Sequence, residues 1–139
     1  MFFNPEAKSS TSSISVHAEL IMYGDVFIYI SKDGDKGITV NWLSLCDGGD
    51  IADRGEKSYS DVSFQDIVDH FYGIDFPEQE DENMNVSWEV QCYDQDEETV
   101  AEHSPGYWSR EMITDIINWL RETVKDDIPF RPVLETLNA

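Results

Sequence analysis

The chain has 139 residues, a mass of 16.0 kDa and a formal net charge of −20 at pH 7, from 29 acidic and nine basic residues. This length predicts one domain, and the 40% hydrophobic and 12% aromatic content predicts that the domain folds. The pI near 4.1 argues against direct binding to nucleic acid or to an anionic membrane, because both would repel the chain.

The negative charge is concentrated in the middle of the chain. Residues 47–102 hold 18 acidic residues and two basic ones, Arg54 and Lys57, whereas the segments on either side are nearly balanced. An adaptation to high salt would instead spread the charge over every exposed segment. Because concentrated like charge costs folding stability through self-repulsion, this block indicates a surface that binds something positively charged.

The first half of the chain predicts a flexible lead-in, three strands and a loop. Residues 1–13 are predicted as the lead-in, and residues 14–139 as a single α+β domain. Hydrophobic alternation predicts a strand starting at Ile14 and another over 38–43, and the strand between them, 26–30, is apolar on both faces. This middle strand would be an aggregation risk at a sheet edge. Residues 44–59 show no period and are predicted as a loop.

The second half predicts a helix, a strand and another helix. Phe64, Ile67, Val68 and Phe71 have the spacing of one helical face, with Ser63 as N-cap and Gly73 as the stop signal. Residues 86–92 alternate as a strand, and 110–125 form an amphipathic pattern. The order β-β-β-α-β-α predicts an α+β fold in which an antiparallel sheet of about four strands carries two helices on one face.

The sequence predicts neither a metal site nor a cofactor. Asp94, Asp96 and Glu98 stand at the first, third and fifth places of an EF-hand-like loop, but Thr99 takes the place of the required glycine and Pro105 that of the bidentate glutamate. His17, His70 and His103 are scattered, and His17 and His70 are assigned surface positions. Cys92 is in register with core residues of its strand.

No catalytic residue is predicted, because almost every carboxylate stands among other carboxylates in loop-like sequence, where its pKa is not raised. Two alternatives remain. One is a hydrolase whose carboxylate or Cys/His site is assembled from distant residues, and the other is an acidic chaperone or adaptor for a basic protein. With no secretory signal or membrane-spanning segment in the sequence, a cytoplasmic location is expected.

The acidic block itself is the predicted binding surface for a basic protein. Carboxylates three residues apart on a helix lie about 5–6 Å from each other, a spacing comparable with that of phosphates along a nucleic-acid strand. The predicted partner-binding residues are Asp47, Asp50, Asp53, Asp66, Asp69, Asp75, Glu78, Glu80, Asp81, Glu82, Asp94, Asp96, Glu97 and Glu98.

This profile predicts a small inhibitor that blocks the nucleic-acid-binding or active-site face of a nuclease or nucleic-acid-binding complex. In composition the chain is similar to phage antirestriction and anti-CRISPR proteins and to bacterial nuclease-immunity proteins, which are also small, acidic and free of catalytic motifs. The likeness concerns composition alone. It leaves open whether the protein is a nucleic-acid mimic or an immunity protein, and which oligomeric state it adopts.

Overall fold

In the computed structural model, residues 5–20, 24–46, 50–73, 86–107 and 110–126 are described, and they form an antiparallel sheet of six strands with three helices. The α+β class is confirmed, with more elements than the predicted four strands and two helices. No helix among these residues has both the length and the apolar character needed to cross a bilayer. In chain order the elements are α1 (Pro5–Ser10), β1 (Ser13–Leu20), β2 (Gly24–Asp33), β3 (Gly37–Cys46), β4 (Ile51–Tyr59), α2 (Phe64–Tyr72), β5 (Val86–Tyr93), β6 (Thr99–Tyr107) and α3 (Arg110–Val124).

The sheet has the strand order β4-β3-β2-β1-β5-β6, and all neighbouring strands are antiparallel. Strand β1 lies inside the sheet, between β2 and β5. Its Ile14 is opposite Ile30 of β2 on one side and Cys92 of β5 on the other. Strand β2, whose residues 26–30 are apolar on both faces, lies between β1 and β3. Its backbone groups are therefore paired on both sides, which removes the aggregation risk of an apolar edge strand.

The period of two along the strands places one set of apolar side chains on a single face, here called the inner face, and the alternate set on the outer face. The inner-face side chains pack with the buried side chains of α2 and α3 into one core. The strand residues of this core are Ile14, Val16, Val26, Ile28, Ile30, Ile38, Val40, Val90 and Cys92, and the helical residues are Phe64, Ile67, Val68, Phe71, Tyr72, Ile116, Ile117, Leu120 and Val124.

The predicted boundaries of α2 are confirmed. Ser63 has an extended backbone, and its side chain accepts a hydrogen bond from the Asp66 backbone N–H at 3.3 Å. At the other end, the Gly73 N–H donates to the backbone carbonyls of Asp69 and His70, each at 3.1 Å. These bonds satisfy backbone groups that the helix itself leaves unpaired.

The prediction of a loop over residues 44–59 was wrong. Strand β3 continues to Cys46, and Ile51–Tyr59 forms β4, the edge strand beside it. The alternation is hidden because an edge strand exposes charged side chains, here Arg54, Glu56 and Lys57, and because the register shifts between Ser44 and Leu45. Strand β6 was missed for a similar reason, since it pairs with β5 alone and its register is also irregular.

The segment predicted as a flexible lead-in contains the helix α1, and contacts of Lys8, Thr11 and Ser12 connect it to the rest of the fold. The Thr11 and Tyr72 hydroxyls lie 2.7 Å apart, and the Lys8 ammonium lies 3.0 Å from an Asp69 carboxylate oxygen. The Ser12 N–H donates to the Tyr93 carbonyl at 2.7 Å. The sequence did not predict these polar contacts, because the two residues of each pair are distant in sequence and meet only in the fold.

The interface between α2 and α3 includes a stacked pair of rings. The imidazole of His70 lies parallel to the indole of Trp119, with ring centroids 3.5 Å apart. His70 was predicted on the outer side of its helix, but it is half-buried, and this burial lowers its pKa. The folded state therefore favours the neutral imidazole.

We expect this histidine to make the folded state less stable as the pH falls. A His70 pKa below the unfolded value of about 6.5 means that its stabilising contribution is complete above about pH 6.5 and is lost as the pH falls towards the folded pKa. Urea unfolding between about pH 7.5 and pH 5.5 should thus show a steeper loss of stability in the wild type than in His70→Gln. His17→Gln controls for the removal of one histidine, and equal slopes for the wild type and His70→Gln would contradict this expectation.

Candidate binding surface at the acidic end

Several exposed carboxylates gather at one end of the sheet, here called the acidic end. It comprises the β2–β3 turn with its flanks (32–36), the connection from β4 into the first turn of α2 (60–66), and the β5–β6 turn (94–98). These three segments meet because β2, β4 and β5 all finish at this end. Together they carry eight carboxylates and two lysines, which are Asp33, Asp35, Asp61, Asp66, Asp94, Asp96, Glu97 and Glu98 with Lys32 and Lys36.

A groove of about 450 Å³ lies between these segments. One side is formed by Asp35 of the β2–β3 turn and the other by Asp94 and Asp96 of the β5–β6 turn, while the start of α2 contributes Ser63. The α1–β1 junction supplies further hydroxyl groups. Three of the eight carboxylates therefore line a polar concave surface formed by parts of the chain that are distant in sequence.

The β5–β6 turn is held in shape by its own first residue. The Asp94 carboxylate accepts hydrogen bonds from the backbone N–H groups of Asp96 and Glu98, at 2.8 and 3.1 Å. Glu97 has a φ of +62°, a left-handed conformation that is uncommon for residues other than glycine. Asp94 is thus a turn-forming residue, whereas the side chains of Asp96, Glu97 and Glu98 are exposed.

The predicted residues on α2 differ in their surroundings. Both Asp66 and Asp69 are exposed, as predicted. Asp69 lies one turn further along the helix, where Lys8 is 3.0 Å from one of its oxygens and Gln65 donates to the same oxygen at 2.9 Å. These hydrogen bonds lower the Asp69 pKa, with the bond from Lys8 having the largest effect.

The structure separates the other described residues of the predicted surface from the acidic end. Asp50 precedes β4 at the opposite end of the sheet, and the ten-residue strand β3 that runs between the two ends spans about 30 Å. Asp53 lies along β4, and its carboxylate accepts a hydrogen bond from the Trp42 indole N–H at 2.8 Å. The remaining predicted residues, Asp47, Asp75, Glu78, Glu80, Asp81 and Glu82, lie outside the described part of the chain.

Three carboxylates of the acidic end were missed by counting charge along the sequence. Asp33 and Asp35 precede the acidic block, and Asp61 lies inside it but was not selected. The pair Asp33-Gly34 is a usable signal, because Asp-Gly is typical of hairpin turns, whose tips are exposed. Which other turn lies beside that tip depends on strand order, and strand order has no local sequence signal.

The described residues contain no cluster suited to a metal ion, and Cys92 belongs to the core. No group of three or more His, Cys, Asp or Glu side chains among them is arranged to hold a metal ion. Cys92 is fully buried, as predicted, and this burial raises the pKa of its thiol to about 11. A thiol with that pKa is almost entirely protonated at pH 7, so Cys92 is a core residue and not an activated nucleophile.

What the acidic end offers chemically is a fixed array of anionic acceptors that can contact cationic groups such as lysine and arginine. The sheet and the start of α2 hold the backbone of these segments in place, so little backbone order has to be gained on binding. Comparison of the chain with protein-family models, curated proteins and solved structures gave no match.

Proposed function

We propose that this protein is an inhibitor that binds a basic protein through the acidic end and blocks that protein's nucleic-acid-binding or active-site face. The observation that carries the proposal is the gathering of eight carboxylates, from three separate segments, at one end of the sheet, where Asp35, Asp94 and Asp96 line one groove. The partner expected from this chemistry is a nuclease or nucleic-acid-binding complex with a groove lined by lysine and arginine.

Electrostatics explains why such an array suits a competitor of nucleic acid. A groove that holds phosphates attracts any rigid body with anionic groups at similar spacing, and association is accelerated by long-range steering. The net charge of −20 adds to this attraction at distances up to about a Debye length, which is about 8 Å at physiological salt. Binding should therefore weaken steeply as the salt concentration rises.

The first experiment is a pull-down from a lysate of the source organism or its phage host, with the full chain as bait and a salt gradient for elution. We expect a basic nuclease or nucleic-acid-binding protein to elute at moderate salt, and its nucleic-acid binding to be inhibited by the free chain. A captured protein whose nucleic-acid binding and catalytic activity were unchanged by the chain would contradict the inhibitor proposal and favour the adaptor alternative.

The second experiment tests whether the acidic end is the contact surface. Asp66→Asn, Asp96→Asn, Glu97→Gln and Glu98→Gln together should weaken binding of the captured partner at least tenfold, which is about 1.4 kcal/mol. Asp94 is left unchanged because it holds the turn.

The matched control changes four exposed carboxylates elsewhere, Glu6→Gln, Glu102→Gln, Asp115→Asn and Glu122→Gln, and alters the net charge by the same amount. Its affinity should stay within about threefold of the wild type. Equal losses in the two variants would show that total charge, and not the acidic end, determines binding.

A further inference from the structure

The outer face of the sheet carries apolar side chains over β2, β3 and β4. Phe27, Leu43 and Leu45 are half-buried there, and Ile51 is 55% exposed. They line an open groove of about 730 Å³ together with Tyr29. The buried side chains of α2 and α3 belong to the core on the inner face, so neither of these two helices covers the groove.

The dimensions of this groove fit one helix. Strands β2 to β4 span two strand spacings, or about 10 Å, which matches the 10–12 Å diameter of an α-helix. Along the strands, the apolar surface extends from the paired residues Tyr29 and Asn41 to the paired residues Leu45 and Ile51. That distance of about 14 Å corresponds to between two and three helical turns.

The charged side chains near the groove indicate what charge a helix that binds there should carry. Asp25 is opposite Leu45 on the outer face, Glu56 lines the groove, and the exposed Asp50 adjoins Ile51. Among the described residues of this face, Arg54 carries the positive charge. It is opposite Leu43, and its aliphatic stem extends the apolar floor of the groove. His17 stacks on Phe27 with centroids 4.2 Å apart and has its Nε2 2.9 Å from an Asp25 oxygen.

We propose that this outer-face groove docks an amphipathic helix of a partner protein, with apolar residues facing β2, β3 and β4 and lysine or arginine along its flanks. The basic flanks would meet the surrounding carboxylates, and the apolar face would remove the exposed side chains from water. A second copy of the chain is the poorer occupant, because two molecules of charge −20 repel each other. The groove includes none of the carboxylates of the acidic end, so the proposal can succeed or fail independently of the function proposed above.

Two synthetic peptides of about 14 leucine and lysine residues test this proposal with the full chain. In one peptide the leucines occupy a single helical face, and in the other the same residues are shuffled so that no face is apolar. Both have equal charge, so attraction to the acidic end is the same for both. By fluorescence anisotropy at physiological salt, we expect the wild type to bind the amphipathic peptide at least tenfold more tightly than the shuffled one.

Variants then locate the site. Leu43→Thr with Ile51→Ser should remove the difference between the peptides, because both changes make the groove polar at partly exposed positions. Asp96→Asn, Glu97→Gln and Glu98→Gln together should weaken both peptides and keep their affinity ratio, which separates this site from the acidic end. Equal binding of both peptides by the wild type would overturn the proposal without reference to any variant. So would a wild-type dimer in sedimentation that becomes a monomer in Leu43→Thr/Ile51→Ser, since the occupant would then be a second copy.

Discussion

Phe71→Ala is expected to lower the free energy of unfolding by about 3–5 kcal/mol. Phe71 is completely buried on α2 and is the largest fully buried side chain among the described residues. Its ring fills the space between α2 and the inner face of the sheet, and truncation would leave a cavity that the neighbouring side chains can only partly close. Because a domain of this size has a total stability of about 5–15 kcal/mol, the loss should be plain in urea unfolding followed by circular dichroism.

Two further variants of the same helix separate packing from helix propensity. Phe71→Leu keeps most of the apolar volume and should cost less than half as much as Phe71→Ala. Gln65→Ala changes an exposed side chain of α2 and should shift stability by no more than about 0.5 kcal/mol. A loss below about 1 kcal/mol for Phe71→Ala would mean that α2 does not pack on the sheet as described.

The helix α2 could be predicted to its end residues because every signal for it is local. The N-cap at Ser63, the apolar spacing and the stop at Gly73 all lie within eleven residues. Strand β4 could not be predicted, because it is stabilised by pairing with β3 and not by an apolar alternation of its own. The pairing of β1 with β5 joins residues 66 to 80 positions apart, and no periodicity within a strand specifies its neighbour.

The acidic surface also could not be predicted fully, because it depends on the strand order. Charge counting along the sequence treated residues 47–102 as one unit, but successive connections of an antiparallel sheet lie at alternate ends. Asp50 and Asp96 are therefore at opposite ends, whereas Asp35, which precedes the block, lines the same groove as Asp96. The sequence indicated how much charge the surface has available, and the strand order determined which carboxylates act together.

The two surfaces proposed for binding would contribute to different rate constants. Exposed carboxylates at the acidic end act at a distance and should mainly raise the association rate, with strong salt dependence. Apolar contacts in the outer-face groove act only after docking and should mainly slow dissociation. If one partner binds both surfaces, a higher salt concentration would lower the association rate constant. Leu43→Thr/Ile51→Ser would instead raise the dissociation rate constant.

Gly55→Ala is expected to destabilise the fold by about 1–3 kcal/mol, although replacing glycine in a strand by alanine usually stabilises it. A β-carbon at Gly55 would lie 2.2 Å from Cζ2 and 2.7 Å from Cε2 of Trp42, which pairs with it across β3 and β4. The indole cannot move freely, since its N–H donates to Asp53 at 2.8 Å and its ring packs against the core. Either β4 shifts away from β3 or the indole leaves its site, and both cost packing.

A double-mutant cycle identifies the cause. The clashing atoms belong to the fused ring system of tryptophan, so in a Trp42→Phe background the Gly55→Ala change should cost little, giving a coupling energy of about 1–2 kcal/mol. Thermal unfolding should show the single variant melting about 4–12 °C below the wild type. Glu56→Ala introduces alanine at the neighbouring exposed position of β4, which is opposite Asn41 and not Trp42, and it should change the midpoint by no more than a few degrees. If alanine at position 55 destabilised the Trp42→Phe background as much as the wild type, the close approach of Trp42 could not be the reason for the glycine.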